Sequence, residues 1–406
     1  MARPTPKRDL RTGEPVWMEG VPPSPHFPPL EGDLEVDVAV IGGGISGALA
    51  ADAALQTGKR VAAFDRRGIA VGSSAASTAL LQFEIDQPLT SLIRRLGREK
   101  AVRAWWRSAA AVDHLAARVA DLGLRCGFRE RHAVYLPGNV LDIAALKREA
   151  AARARFGLRS RFIEAEELRE LTGIEREGAI WSGGAAEVDP VALVRGLWRS
   201  ALRRGAAIHA PCDIVQIEPG RDQVSLTTDS GHRIRARHLV LATGYELSKL
   251  VKLRGYRITS TWAYATAPQP DRLWRSRCLI WEAADPYLYL RSTADGRVVV
   301  GGEDEDFSDE AHRDRLLPRK IAKLRKKLGA LLPQLDTAPE FAWAGSFGES
   351  STGLPAIGPV PGAERCFAVV GFGGNGITFS AIAAQMLQRW LLGLADPDAA
   401  IFGFRS

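Results

Sequence analysis

Cysteine is scarce in this 406-residue chain: Cys126, Cys212, Cys278 and Cys366 stand far apart and form no C-x-x-C pair. That excludes a zinc ribbon or a disulfide framework and fits a reducing compartment. No metal-ligand spacing and no Ser–His–Asp order stands out, and none of the seven histidines has a partner pattern for acid–base work, so no metal is expected. Long apolar runs are scarce too. The longest uncharged stretch, Cys366 to Gln388, has the length of a membrane span, but Gly371, Gly373, Gly374, Asn375 and Gly376 break its first half. It reads as strand, loop and buried helix. The basic N-terminus is followed by no apolar segment of a secretory signal, so a soluble, cytoplasmic protein without a membrane partner is expected. The net charge of +7 comes from scattered arginine, not from a block. It reads as a solvated basic surface, and nucleic acid is not the expected partner. The length allows a large core in one or two domains.

What the chain does have is a glycine cluster in a specific context. Val36-Asp37-Val38-Ala39-Val40-Ile41 reads as a buried strand, and Ile45-Ser46-Gly47-Ala48-Leu49-Ala50-Ala51 as an alanine-rich helix. Between and into them run Gly42, Gly44 and Gly47, the G-x-G-x-x-G pattern. Gly42 permits the tight turn, Gly44 lets a pyrophosphate approach the backbone, and Gly47 lets the helix lie close on the strand. The free N–H groups and positive dipole end of that helix face the phosphates. A second strand, Arg60 to Phe64, ends at Asp65, an acid placed to accept hydrogen bonds from an adenosine ribose. These features predict dinucleotide binding.

Residues 1–32, basic at the start and proline-rich between Val21 and Pro29, predict an extended surface arm. The small, hydroxyl-rich stretch Arg66 to Leu81 suits either a flat ligand or a flexible loop. Helical periodicity marks 97–123, 143–156 and 164–171. Asp189-Pro190 predicts an N-cap and first turn for a helix ending at Gly205. Strand patterns recur at 207–209, 214–218, 224–228, 233–235 and 238–242, the last ending at Ala242-Thr243-Gly244. From 257 to 302 the chain alternates as strands do, with Ala294-Asp295-Gly296 as a hairpin turn. The acidic run Glu303 to Asp306 reads as a solvated loop, and 313–328 as a basic helix. A second glycine-rich loop, Gly371 to Gly376, opens a helix at Ile377. Its N–H groups could stabilise negative charge on a reduced flavin ring, which a nicotinamide enzyme would not need.

Taken in order, G-x-G-x-x-G, Gly72-Ser73-Ser74, Asp189-Pro190, Ala242-Thr243-Gly244, Gly353-Leu354-Pro355-Ala356-Ile357-Gly358 and Gly371-Phe372-Gly373-Gly374-Asn375-Gly376-Ile377 resemble the D-amino acid oxidase superfamily of FAD oxidoreductases. Glycine oxidase, sarcosine oxidase and γ-glutamylputrescine oxidoreductase belong to that group. The resemblance covers nearly everything after residue 33. It implies an α/β fold: a Rossmann-like FAD-binding domain, from 33–85, 160–250 and 340–406, and an α+β substrate domain with a mostly antiparallel sheet, from 86–159 and 251–339. It implies oxidation of a C–N bond of a small amine or amino acid, with oxygen or another electron acceptor. The FAD residues it implies are Gly42, Gly44, Ile45, Ser46, Gly47, Asp65, Arg66, Ser73, Ser74, Ile214, Val215, Ala242, Thr243, Gly244, Gly373, Gly374, Asn375, Gly376 and Ile377. The substrate candidates are Tyr287, Tyr289 and Arg291, which share one strand face, with Phe347 and Glu349.

Three departures from the family pattern sharpen this reading. Phe347 stands where glycine oxidase carries the arginine that clamps a substrate carboxylate, with Arg291 or Arg257 as replacements. Gly345 stands where sarcosine oxidase attaches FAD through cysteine, which implies non-covalent FAD. Val298-Val299-Val300 lacks the lysine that promotes reaction with oxygen, which suits a dehydrogenase. Two other readings of the same fold stand beside this one, a tRNA-modifying flavoprotein and an FAD-binding subunit of a heteromeric dehydrogenase.

Overall fold

Strand Leu34–Ile41 lies inside a parallel sheet because both of its faces must be covered: Val38, Ala39 and Val40 have no exposed surface. The computed structural model describes residues 3–22 and 27–404. On one side this strand pairs in parallel with Val61–Phe64, which pairs with Ala207–His209. On the other it pairs in parallel with Arg233–Leu241, followed by Ala363–Val370 and then the antiparallel edge Ala356–Val360. Helices Ile45–Gln56 and Gly376–Leu391 pack on one face, close enough for the Ser46 and Ser380 hydroxyls to meet at 2.8 Å. Small side chains allow that approach. Asp52, buried on the first helix, receives Nε and Nη2 of Arg118, each at 2.8 Å, and a further contact from Arg204. One carboxylate so joins helices Ile45–Gln56, Arg98–Asp121 and Pro190–Arg203.

The second sheet is mostly antiparallel. Its order runs Arg11–Gly13, Pro339–Glu349, Arg257–Thr266, Val298–Glu305, Leu288–Ser292, Leu279–Glu282, Arg129–Leu136, Gly178–Glu187 and Leu80–Leu81, with Ser160–Glu164 added on Gly178–Glu187. One face packs on helix Glu310–Leu331 through Trp262, Tyr264, Leu324 and Leu328. The other faces the nucleotide-type unit. Among the described residues no helix is long and apolar enough to cross a membrane.

Much of the expected local structure is present. Asp189 caps its helix by accepting from Val191 and Ala192 N, and the hairpin around Ala294-Asp295-Gly296 joins Leu288–Ser292 to Val298–Glu305. Four differences stand out. Strands Leu80–Leu81, Ser160–Glu164, Gly178–Glu187 and Pro339–Glu349, which the sequence assigns to the FAD-binding segments, pair in the second sheet. Strand pairing is a long-range choice that local alternation does not reveal. Arg129–Leu136 and Gly178–Glu187 escape the strand patterns altogether, the first because it opens with charges and the second because glycine and alanine dilute its alternation. The acidic run is not a solvated loop. It ends strand Val298–Glu305, and Glu303 is buried against Lys320, Lys323 and Lys327 of the basic helix.

The fourth difference concerns the N-terminal arm, of which residues 1–2 and 23–26 lie outside the described residues. Residues 4–19 are strapped to both sheets rather than resting on the surface. Lys249 N donates to Pro4 O at 2.9 Å, Arg8 N to Glu246 Oε1 at 2.7 Å, and Arg313 Nη1 to Asp9 O at 2.9 Å. Arg11–Gly13 adds an edge strand on Trp343–Gly345. Trp17 is the anchor: it is buried, its Nε1 donates to Ser77 O at 2.7 Å, and the Arg291 guanidinium stacks 4.7 Å from its ring. Trp17→Ala should cost ~3–5 kcal/mol of stability through the cavity it leaves. Urea unfolding checks this, and a loss below about 1 kcal/mol, the ordinary surface scale, would show that the strap is not anchored there.

Candidate active site

A cleft of ≈ 230 Å³ runs between the two sheets. At one end the turn after Leu34–Ile41 is held by short backbone contacts. Gly42 has φ +123°, and a Cβ there would lie 2.2 Å from Ala242 O. A Cβ on Gly47 would lie 1.8 Å from Gly42 O. Both positions therefore demand glycine. Asp65 accepts from Gly43 N at 2.6 Å through one oxygen and from Arg67 N and Gly68 N, both at 2.8 Å, through the other. It shapes the turn while still lining the cleft. Ser74 Oγ accepts from Ile45 N at 3.0 Å, capping the helix from outside.

Of the expected cofactor residues, Gly42, Gly44, Ile45, Ser46, Asp65, Arg66, Ser73, Ser74, Ile214, Ala242, Thr243, Gly244, Gly373, Gly374, Asn375, Gly376 and Ile377 all line this cleft. Gly47 and Val215 do not. Gly47 is turned against the Gly42 carbonyl, and Val215 points to the opposite strand face from Ile214. Thr5 and Leu10 of the strap and Cys212 also line it. Arg66 is ion-paired to Asp213 at 3.0 Å and donates to Pro6 O at 2.8 Å, so the strap closes over this end.

The cleft fits a dinucleotide flavin on its own features. Ser73 Oγ and Gln82 Nε2 line it, and both are buried with no hydrogen-bond partner. Two helix N-termini, at Ile45 and Gly376, open into it. Burial pushes the Cys212 thiol up to about 12, so the sulfur lining this end stays protonated and unreactive.

The other end is walled by the second sheet. Thr261, Tyr287, Tyr289, Phe347, Trp281 and Phe372 line it. Burial raises both phenols well above their ordinary range, so they stay neutral. Two expected candidates lie off the cleft. Arg291 shares the strand face of the tyrosines, but its Nη1 donates to Ala79 O at 3.2 Å under the Trp17 ring. Glu349 pairs with Arg257 at 2.9 Å, and Arg257 also holds Asp306 at 2.7 Å. Neither arginine is placed as a carboxylate clamp.

Asp86 and Asp304 were not legible as site residues. Asp86 lines the cleft and accepts from Gly374 N at 2.8 Å, and burial raises its pKa to about 6. Burial raises the Asp304 carboxyl to about 7. Asp86 lies in a stretch without periodicity, and Asp304 in the run read as solvated.

Known proteins resemble this chain over most of its length. A glycine oxidase of Bacillus licheniformis is 25% identical over 368 residues, covering 88% of this chain and 93% of its own. A protein of Rhizobium meliloti (strain 1021) named "Probable oxidoreductase OrdL" is 26% identical over 405 residues, covering 93% of this chain and 88% of its own. The crystal structure of glycine oxidase from Geobacillus kaustophilus shares the fold with a TM-score of 0.77 at 20% identity, covering 92% of this chain and 99% of that one. The family model of the FAD-dependent oxidoreductases, DAO, matches residues 37–390, and the chain belongs to that family.

Proposed function

We propose that this chain oxidises a C–N bond of a small amine or amino acid with non-covalently held FAD. The observation that supports this reading most is the asymmetry of the cleft. One end offers backbone N–H groups at two helix starts, and the other offers neutral hydroxyls and aromatic rings with no lysine, arginine or histidine among its lining residues. The Gly42–Gly47 turn, with Ser73 and Ser74, would hold the pyrophosphate, and Asp65 and Arg66 the adenosine side. Residues Gly373 to Ile377 would face the ring edge where negative charge collects on reduction. Held by these residues, FAD would supply a two-electron acceptor for a hydride from the substrate carbon, leaving an imine that water would hydrolyse.

The chain's own part is to bind, orient and keep water out. Tyr287 and Tyr289, neutral through burial, offer hydrogen bonds without charge, while Phe347, Phe372 and Trp281 cover apolar substrate surface. Strand Val298–Glu305 presents Val299 and Gly301 on the tyrosine face, because they pair with Arg291 and Tyr289. The buried Lys320 belongs to the opposite face, where it pairs with Glu305 at 2.7 Å and lies over Trp262. With no lysine among the described residues lining the cleft, transfer to an acceptor other than oxygen is the favoured second half-reaction.

An anaerobic screen of amines and amino acids, followed by admission of air, tests the reading. At least one amine should bleach the oxidised flavin, and reoxidation by air should be slow. A yellow protein that no amine bleaches would refute it. Acid precipitation should leave all yellow colour in the supernatant, whereas colour kept in the pellet would mean a covalent bond. Gly47→Ala should yield protein with little or no flavin, read as the ratio of flavin to protein absorbance, because its Cβ would collide with the Gly42 carbonyl.

A further inference from the structure

The substrate end of the cleft has a carboxylate behind its hydroxyls. Both oxygens of Asp304 are shut off from solvent and lack a hydrogen bond of good geometry, yet the hydroxyls of Thr261 and Tyr287 lie close enough to favour its charged form. Thr261 and Tyr287 both line the cleft. The backbone aims Asp304 there deliberately. Ser260 stands opposite Glu305 while Trp262 stands opposite Gly302, so strand Val298–Glu305 carries one extra residue. Gly302 has φ +136° and Glu303, a non-glycine residue, φ +60°. Regular alternation from Val299 and Gly301 would point Glu303 at the cleft and Asp304 away. The bulge reverses this: Glu303 turns to Lys323 at 3.2 Å and Lys327 at 2.6 Å, and Asp304 turns inward. Strain of this kind persists where surrounding contacts hold it, here three lysines.

Building on the proposed amine chemistry, we propose that Asp304 is a positioning residue that, through the hydroxyls of Thr261 and Tyr287, selects cationic amines lacking a carboxylate. Each hydroxyl that donates to Asp304 keeps its oxygen lone pairs free toward the cleft, where an ammonium N–H can donate to them. A substrate carboxylate at the same place would be repelled by Asp86 and the buried Asp304, with no lysine, arginine or histidine among the residues lining this end to offset them. Arg257 is occupied by Glu349 and Asp306, and Arg291 by Ala79 O and Trp17. Among the described residues these acids form no group placed to hold a metal ion, so an organic cation is the fitting counter-charge.

The groups facing Asp304 are Thr261 and Tyr287, which favour its charge, and Glu349 and Asp86, which oppose it; Tyr289 and Asp306 flank them. Burial raises its carboxyl to about 7. It is therefore protonated below that pH and charged above it, and cation binding should tighten as pH rises through about 7.

The test is an equilibrium titration of the flavin-loaded enzyme, followed by the flavin spectrum. The probes are tert-butylamine, which has no hydrogen on the carbon bearing nitrogen and cannot be oxidised, and pivalate, its carboxylate counterpart in shape. The wild type should bind tert-butylammonium and bind pivalate far more weakly. Asp304→Asn should weaken the cation about 10- to 100-fold, the range for losing a charged hydrogen-bond partner, tighten pivalate, and abolish the change near pH 7. Tyr287→Phe should move the cation-to-anion ratio the same way and carries the test if Asp304→Asn does not fold. Pivalate binding as tight as tert-butylammonium in the wild type, no detectable cation binding, or an unchanged ratio in a folded variant overturns the proposal. The titration needs no turnover, so these outcomes are separate from a failure of amines to bleach the flavin.

Discussion

Two helices that begin more than three hundred residues apart in the chain bring their N-termini to one cleft, and most of the architecture serves that meeting. Two positive dipole ends side by side repel each other unless negative charge lies between them. The protein holds them together with small side chains, the Ser46–Ser380 contact and the shared parallel sheet. The reward is a pair of anion-binding ends in one cavity, suited to a ligand with a pyrophosphate and a ring that gains negative charge on reduction. Asp86, accepting from Gly374 N, supplies part of the compensating charge at the second helix.

The second sheet makes the opposite kind of wall. Its cleft face offers neutral phenols and hydroxyls, and its charged groups are kept behind them. The two arginines that the sequence offered for a substrate carboxylate are spent on structure: Arg291 under the strap and Arg257 between two acids. The bulge at Gly302 and Glu303 sorts the acidic run by direction, one acid to the lysine-bearing helix and the next to a buried place behind the cleft-lining hydroxyls. The strap crosses from one sheet to the other and contributes Thr5 and Leu10 to the cleft lining, so it belongs to the site as much as to the scaffold.

The nucleotide half was legible because its chemistry is local. The spacing of Gly42, Gly44 and Gly47 is a local pattern, and Gly47 is required by a contact with Gly42 O five residues away, although Gly42 itself meets the distant Ala242 O; a strand before them and an alanine-rich helix after them are set by side-chain pattern over short windows. The second glycine loop is legible for the same reason, as is Asp189 as a helix cap. By itself the sequence determined these turns, the helices they open, and the alternation that puts Tyr287 and Tyr289 on one face. Only the tertiary structure decided which strands share a sheet, that Val215 and Arg291 miss the cleft, that Asp86 reaches it, and that Asp304 is buried behind it. A side chain's direction at the end of a bulged strand, and the partner that claims an arginine, depend on residues dozens to hundreds of positions away, and no local pattern carries that information.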